Sequence, residues 1–252
     1  MIKTGPKVDL FREASALQAL GYPAVDVVDL VDIDADTAEL VTMRALPGDD
    51  LRPLARIDDD AATGIIASLI VGLRIGQTPP EDSDATLPPL SQVLEPLRSC
   101  RDPRLPRSLI DAAVQGGEEL IADAGAAVVH GDLQHRNTAR SVLDGEERWR
   151  VIDPHGWWGD PSFDAAAVLV APESVLMGLD VTDARGIAGE PLVRRLRRRI
   201  EIIAEIAGDD RDRLLAWSLV GAVIAEARMI AHHDLVHGAP LALAEELRAG
   251  RS

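Results

Sequence analysis

The clearest break in the sequence is Pro47-Gly48-Asp49-Asp50, a natural linker, and it limits the folds open to the chain. Ahead of it short apolar runs flank one helical stretch; behind it apolar residues recur mostly at helical spacing. Residues 25–33 alternate imperfectly between apolar side chains and aspartates, as a half-exposed strand does. A turn at Asp34-Ala35-Asp36 then leads into residues 38–46, the expected hairpin partner. Residues 1–4 read as the end of another strand, broken by Gly5-Pro6. Leu10, Phe11, Ala14, Leu17 and Leu20 fit one helix, with Gly21 as its C-cap. Strands first and helices after predict an α+β chain with a small sheet lobe over 1–47 and a large, mainly helical lobe over 48–252.

In the second part, residues 58–76 open with three aspartates suited to a helix N-terminus and continue with Ile65, Ile66, Leu69, Ile70 and Leu73. Further helices are expected at 90–97, 109–124, 191–206, 211–233 and 241–248, with a proline-rich loop over 78–89. Two short apolar runs, 126–130 and 149–153, read as strands flanking the hairpin signal Asp144-Gly145. Arg194, Arg195, Arg197, Arg198 and Arg199 are expected to form a solvated face paired with acids of their own helix.

Composition narrows the partners. Lys+Arg 26 against Asp+Glu 42 gives a net charge of -16, which repels phosphate backbones and anionic lipid, so neither nucleic acid nor membrane is expected as a partner. Metal ions and cationic small molecules remain. The single cysteine, Cys100, excludes an internal disulfide and a thiolate zinc site. No run reaches 18 uninterrupted apolar residues and no leader pattern opens the chain, so a cytoplasmic location is expected. Lys3 and Lys7 are the only lysines, so chemistry that needs one has two candidates.

Polar residues crowd between positions 130 and 164 beyond what packing requires. His130-Gly131-Asp132-Leu133-Gln134-His135-Arg136-Asn137 follows one short strand, and Asp153-Pro154-His155-Gly156 ends the next. Phosphoryl transfer needs a carboxylate to orient and deprotonate the attacking hydroxyl, and a few oxygen ligands to hold Mg²⁺ against phosphates. Asp132 fits the first role; Asn137, five residues on, and Asp153 fit the second. The spacing is that of the kinase loop H-R-D-x-x-x-x-N, with Gly131 in place of arginine and Pro154 after the later aspartate.

The H-G-D-x-x-x-x-N stretch followed by I-D-P-x-G-x-x-G-D-P-x-F-D resembles the aminoglycoside phosphotransferases, nearest to their streptomycin 6-phosphotransferase and aminoglycoside/hydroxyurea resistance kinase branch. The resemblance implies a two-lobed, protein-kinase-like fold with ATP between the lobes and transfer to a hydroxyl of a cationic, streptomycin-like molecule. Lys3 and Glu13 look like the strand lysine and helix glutamate of that fold. Residues 40–48 look like its hinge, where the backbone near Arg44 and Leu46 would meet adenine. By the same likeness Asp132 would be the base, and Asn137 and Asp153 would hold Mg²⁺. The family's glycine-rich phosphate loop lies on two strands ahead of the lysine; with that lysine at position 3, the small lobe is expected to lack those strands and the chain to be weakly active.

Other residues carry plainer expectations. His130 should organise the catalytic loop through hydrogen bonds, and Asp160 and Asp164 should order the segment that follows. One of Trp157 and Trp158 could line a ligand cleft. Glu173, Asp180, Glu226 and Asp234 are acids available to a cationic substrate, with no ground for choosing among them. Two other functions fit the residues: a catalytically weak or inactive nucleotide- or drug-binding protein of the same fold, and a metal-dependent phosphoesterase using His130, Asp132, His135, Asp153 and His155. Against the second, its Asp-x-His element should come first in the chain, whereas Asp153-Pro154-His155 comes last.

Overall fold

The computed structural model describes residues 2–42, 50–77, 87–125, 127–143, 146–170, 192–236 and 238–249. Its elements in chain order begin β1 (Ile2–Pro6), α1 (Lys7–Leu20), β2 (Val27–Asp32), β3 (Thr37–Thr42), α2 (Arg52–Ile57) and α3 (Asp59–Gly76). Then come α4 (Glu95–Ser99), α5 (Arg107–Ala122), β4 (Ala127–Val129), β5 (Thr138–Leu143), β6 (Glu146–Val151) and β7 (Trp157–Gly159). The chain closes with α6 (Asp164–Val170), α7 (Leu192–Ala207), α8 (Arg211–His233) and α9 (Ala239–Ala249). The expected order of strands, then mostly helices, holds.

Three antiparallel strands in the order β1-β3-β2 form the N-terminal sheet, with Lys3 opposite Leu40 and Gly5 opposite Ala38. Along β3, Ala38, Leu40 and Thr42 alternate inward, and α1 covers them with Leu10, Ala14 and Leu17. Gly5-Pro6 does not break the first strand. Pro6, at φ -55 and ψ 129, is at once the last strand residue and the residue before the helix, where its missing N–H costs nothing. So β1 runs straight into α1, three residues earlier than the apolar spacing predicts.

The strand pairing corrects the sequence expectation. Residues 126–130 and 149–153 are not the two arms of one hairpin: β6 pairs with β5, and β4 pairs with β7. The missed strand β5 is Thr-Ala-Arg-Ser-Val-Leu, too polar to register as an apolar run. The ends of β4 and β6 still meet, because His155 N–H donates to the His130 carbonyl at 2.8 Å and the His130 ring reaches the Ile152 carbonyl at 3.0 Å.

Most of the core lies among the helices. Residues 90–97 form a 3-10 turn and then short α4 rather than one helix. α3 is capped by Asp58, which accepts from Ala61 N–H at 2.9 Å. The arginines of α7 split between the two sides: Arg194, Arg197 and Arg198 are exposed, as expected, while Arg195 and Arg199 are buried. Arg199 pairs with Asp59 at 2.6 Å and Arg198 with Asp60 at 2.6 Å, so acids of α3 as well as of α7 face them. Central to this layer is α8, long and apolar enough by length and composition to cross a membrane, yet 67% buried inside the protein over that stretch. Its Trp217 packs edge-on against Phe163 at 4.9 Å.

Candidate active site

The continuity of β1 and α1 sets the first part of the site. Lys3 projects from the strand toward Glu13 on the helix, and its Nζ donates to Glu13 Oε2 at 2.6 Å. The same ammonium lies 3.5 Å from Asp153 Oδ1. Burial works against the charge on Lys3, but its hydrogen bond to Glu13 and the charge of Asp153 hold its pKa above the ordinary lysine value.

The second part is the loop after β4. Gly131 sits at φ +81, and a side chain there would overlap the indole of Trp157, whose Nε1 would be 2.6 Å from the added carbon. That is a physical reason for glycine where the kinase loop has arginine. The loop is tied from beneath by Asp164, which accepts Gly131 N–H at 2.8 Å and His130 N–H at 3.2 Å. Burial pushes the Asp164 carboxyl up to about 6, against the pull of those two N–H groups. His130 is wholly buried; Asp132 N–H donates to its Nδ1, so Nε2 carries the proton given to the Ile152 carbonyl. Burial lowers its pKa to about 4, which fits a neutral organiser rather than a proton carrier.

Asp132 is thereby presented with a set orientation. Gln134 Nε2 donates to Oδ1 at 2.8 Å, while Asn137 Nδ2 at 2.8 Å and Arg136 at 3.0 Å donate to Oδ2. Asn137 also donates to the Asp132 carbonyl at 2.8 Å, which leaves its amide oxygen free to accept. Asp153 sits at φ 56, in the left-handed region that few side chains adopt, and keeps its carboxylate partly open to solvent. Its carboxylate and the Asn137 oxygen are the sparse oxygen set that suits Mg²⁺ held mainly through phosphates. Among the described residues no three His, Cys, Asp or Glu side chains converge as a metal cage.

While His130 and Asp164 support the loop from beneath, Lys3, Glu13, Asp132, Asn137 and Asp153 open on one cavity of about 690 Å³, with His155 at its side. Asp160 lies away from it: it caps the turn at Pro161–Phe163 through Ser162 N–H at 3.0 Å and accepts Arg213 and Trp217 Nε1, each at 2.6 Å. Neither Trp157 nor Trp158 lines the cavity; Trp157 is buried against the loop, with the Arg12 guanidinium 5.3 Å from its ring. Arg44 and Leu46 lie outside the described residues, as do Glu173 and Asp180. Glu226 is fully buried and accepts Gly238 N–H at 3.2 Å, and Asp234 pairs with Arg104 at 2.6 Å, so both acids are already engaged. Gln134, Arg136 and Arg12 carry no motif of their own; the first two sit inside the chemical stretch, and their place beside Asp132 is the available signal.

A strand lysine paired with a helix glutamate, an aspartate and asparagine five residues apart on one loop, and a second aspartate beside the lysine define the architecture of protein-kinase-like phosphotransferases. The chain superposes on the apo crystal structure of a thermostable mutant of aminoglycoside phosphotransferase APH(4)-Ia with a TM-score of 0.64, at 14% identity, over 99% of this chain and 86% of that one. Residues 19–232 match the aminoglycoside/hydroxyurea antibiotic resistance kinases, and the chain belongs to that family. It is 31% identical over 224 residues to the streptomycin 6-kinase of Streptomyces glaucescens, covering 84% of this chain and 66% of that protein. It is 32% identical over 197 residues to the streptomycin 3''-kinase of Klebsiella pneumoniae, covering 76% of this chain and 66% of that protein. The chain thus spans just under two thirds of the length of these relatives.

Proposed function

We propose that the protein transfers the γ-phosphoryl group of Mg·ATP to a hydroxyl of an aminoglycoside-like small molecule in the cytoplasm. The observation that carries this reading is the convergence of Lys3–Glu13, Asp153, Asn137 and Asp132 on one cavity. Relatives named streptomycin kinases make streptomycin the first acceptor to try, and the net charge of -16 favours a cationic one.

In this reading Lys3, held charged by Glu13, steadies the nucleotide phosphates. Asp132, oriented by Gln134, Asn137 and Arg136, accepts a hydrogen bond from the acceptor hydroxyl and takes its proton as the oxygen attacks phosphorus in line. Mg²⁺, held by Asp153 and the Asn137 oxygen, would neutralise charge on the phosphates. His130, neutral and doubly bonded, keeps the loop in register and takes no proton.

The test is ADP release with streptomycin, a second aminoglycoside and hydroxyurea, with the product weighed by mass spectrometry for one added phosphate. Acceptor-dependent ADP release with a phosphorylated product is the expected result. Absence of both with all three acceptors would overturn the reading. Tight Mg²⁺ or transition-metal binding without nucleotide would point instead to the phosphoesterase.

A further inference from the structure

Arg74, Arg199 and Arg213 each hold a carboxylate at 2.6–2.8 Å. Arg150, on β6 and 3% exposed, is bonded differently. Its carboxylate partner, Asp26, lies at 3.3 Å on a side chain that is 62% exposed. Its strong contacts are to backbone: Nε donates to the Pro23 and Ala24 carbonyls, each at 3.1 Å, and Nη2 donates to the Ala24 carbonyl again. The Tyr22 ring lies 5.3 Å from the guanidinium. Burying a cation is costly, and an apolar side chain of similar size is often as stable. What the arginine adds is direction, a planar fork that fits two successive carbonyls of one loop.

That loop, residues 21–26, is the joint of the N-terminal part. α1, which carries Glu13, runs into it, and β2 of the sheet that carries Lys3 leaves it. β6 also grips it by backbone: Val151 N–H donates to the Pro23 carbonyl and Val25 N–H to the Val151 carbonyl, both at 3.1 Å. α3 closes the other side, where a carbon added at Gly72 would stand 3.0 Å from the Pro23 ring. Beyond the grip β6 leads straight to the site. Ile152 N–H donates to the Asn137 carbonyl at 3.0 Å, its carbonyl accepts the His130 ring at 3.0 Å, and Asp153 follows. Lys3 therefore comes from one side of the Arg150 contact and Asp153 from the other, and their 3.5 Å approach spans it. Gly156 also packs on α1, a contact that limits approach but resists separation only weakly.

We propose that Arg150 is a positioning residue for phosphoryl transfer: by clamping residues 22–26 to β6 it sets where Lys3 stands relative to Asp153. The proposal rests on the kinase reading for the roles of those two groups. Lys3 and Glu13 lie on the same side of the clamp and keep their 2.6 Å bond when it loosens. What changes is the spacing from Lys3 to Asp153, and with it the register between the group that steadies the phosphates and the group that holds Mg²⁺.

The chain has only two lysines, so isotopically labelled lysine gives two side-chain NMR signals, which Lys7→Arg assigns. In Arg150→Met the Lys3 signal should move, while that of Lys7, bonded to Asp32 on the same side of the clamp, stays. Turnover per folded molecule, read well below the melting temperature, should fall by about 10²-fold, the scale on which a displacement of about 1 Å acts, with the KM of the acceptor unchanged. Arg150→Lys keeps the charge and can reach one carbonyl but lacks the planar fork, so both readouts should fall between, its own added signal aside. An arginine that only filled the interior would lower the melting temperature on removal and move neither readout. A Lys3 signal that stays put, or turnover like the parent's, would overturn the proposal. Should Arg150→Met not fold, parent-like values of both in Arg150→Lys would do so. If the parent phosphorylates no acceptor, the kinase reading fails and the Lys3 signal alone decides the clamp. Turnover with an unmoved Lys3 signal sinks the clamp and leaves the kinase reading.

Discussion

Asp132 and Asp153 differ from Asp160 and Asp164 in a way their shared residue type conceals. All four lie within one stretch of chain, on loops that follow short strands or, for Asp164, at the first residue of α6. The side chains of Asp132 and Asp153 are 16% and 39% exposed and face the cavity. Asp160 is 3% exposed by side chain, and its oxygens are filled by Ser162 N–H, Arg213 and Trp217. Asp164, also buried, spends both oxygens on backbone N–H groups of the loop that presents Asp132. What separates reagent from framework is the source of the donors. The framework aspartates are saturated by groups that cannot leave, whereas Asp132 and Asp153 are held by flexible side chains and open to a ligand.

The contrast breaks most sharply at Asp132. Asp132→Asn should cut turnover by about 10²–10⁴, the usual worth of a positioned base, while nucleotide affinity by calorimetry and the melting temperature stay near the parent's. Turnover like the parent's would move Asp132 into the framework class. Asp160→Ala should do the opposite: it strands Arg213 and the Trp217 N–H in the interior and should cost about 3–5 kcal/mol in urea unfolding. A loss below 1 kcal/mol would show that Asp160 is not a framework carboxylate.

Gly131→Ala tests the joint between the two classes, since it forces a side chain at φ +81 into Trp157. A loss of about 1–3 kcal/mol is expected, with activity falling further than stability because Asp132 shifts with the loop. Equal stability and activity in the alanine variant would mean that the indole yields.

The smallest effect is in pH dependence. Asp164 has its pKa raised to about 6 by burial, so it binds its proton more tightly when folded; its contribution is present at low pH and lost as pH rises through 6. His130, lowered to about 4, works the other way: its contribution is present above the ordinary histidine value and lost as pH falls toward 4. Between pH 4 and 6 the two oppose. Asp164→Asn should therefore make stability climb more steeply with pH across that window, and His130→Gln should flatten it. Parallel melting curves for parent and variants would cancel both assignments.

The chemical stretch was legible because its reagents are contiguous: Asp132 and Asn137 share a loop, and Asp153 falls one strand later. Lys3 and Glu13 were legible from their likeness to a known pair. Strand β5 was not, because its side chains are mixed and its place comes from pairing with β6 rather than from an apolar pattern. Nor was the α7–α3 pairing, since Arg198 and Arg199 meet Asp60 and Asp59 across a long sequence separation that no local period reports.

Gly156, three residues past Asp153, bears on how the site holds together. A side-chain carbon there would stand 2.8 Å from the Ala16 methyl and 3.4 Å from the Arg12 carbonyl, both on α1. The loop that carries Asp153 and the helix that carries Glu13 therefore touch with no room for even one methyl group between them. Glycine at 156 is thus the spacer that sets how near the Asp153 loop comes to α1, and with it the distance between the two carboxylates that flank Lys3.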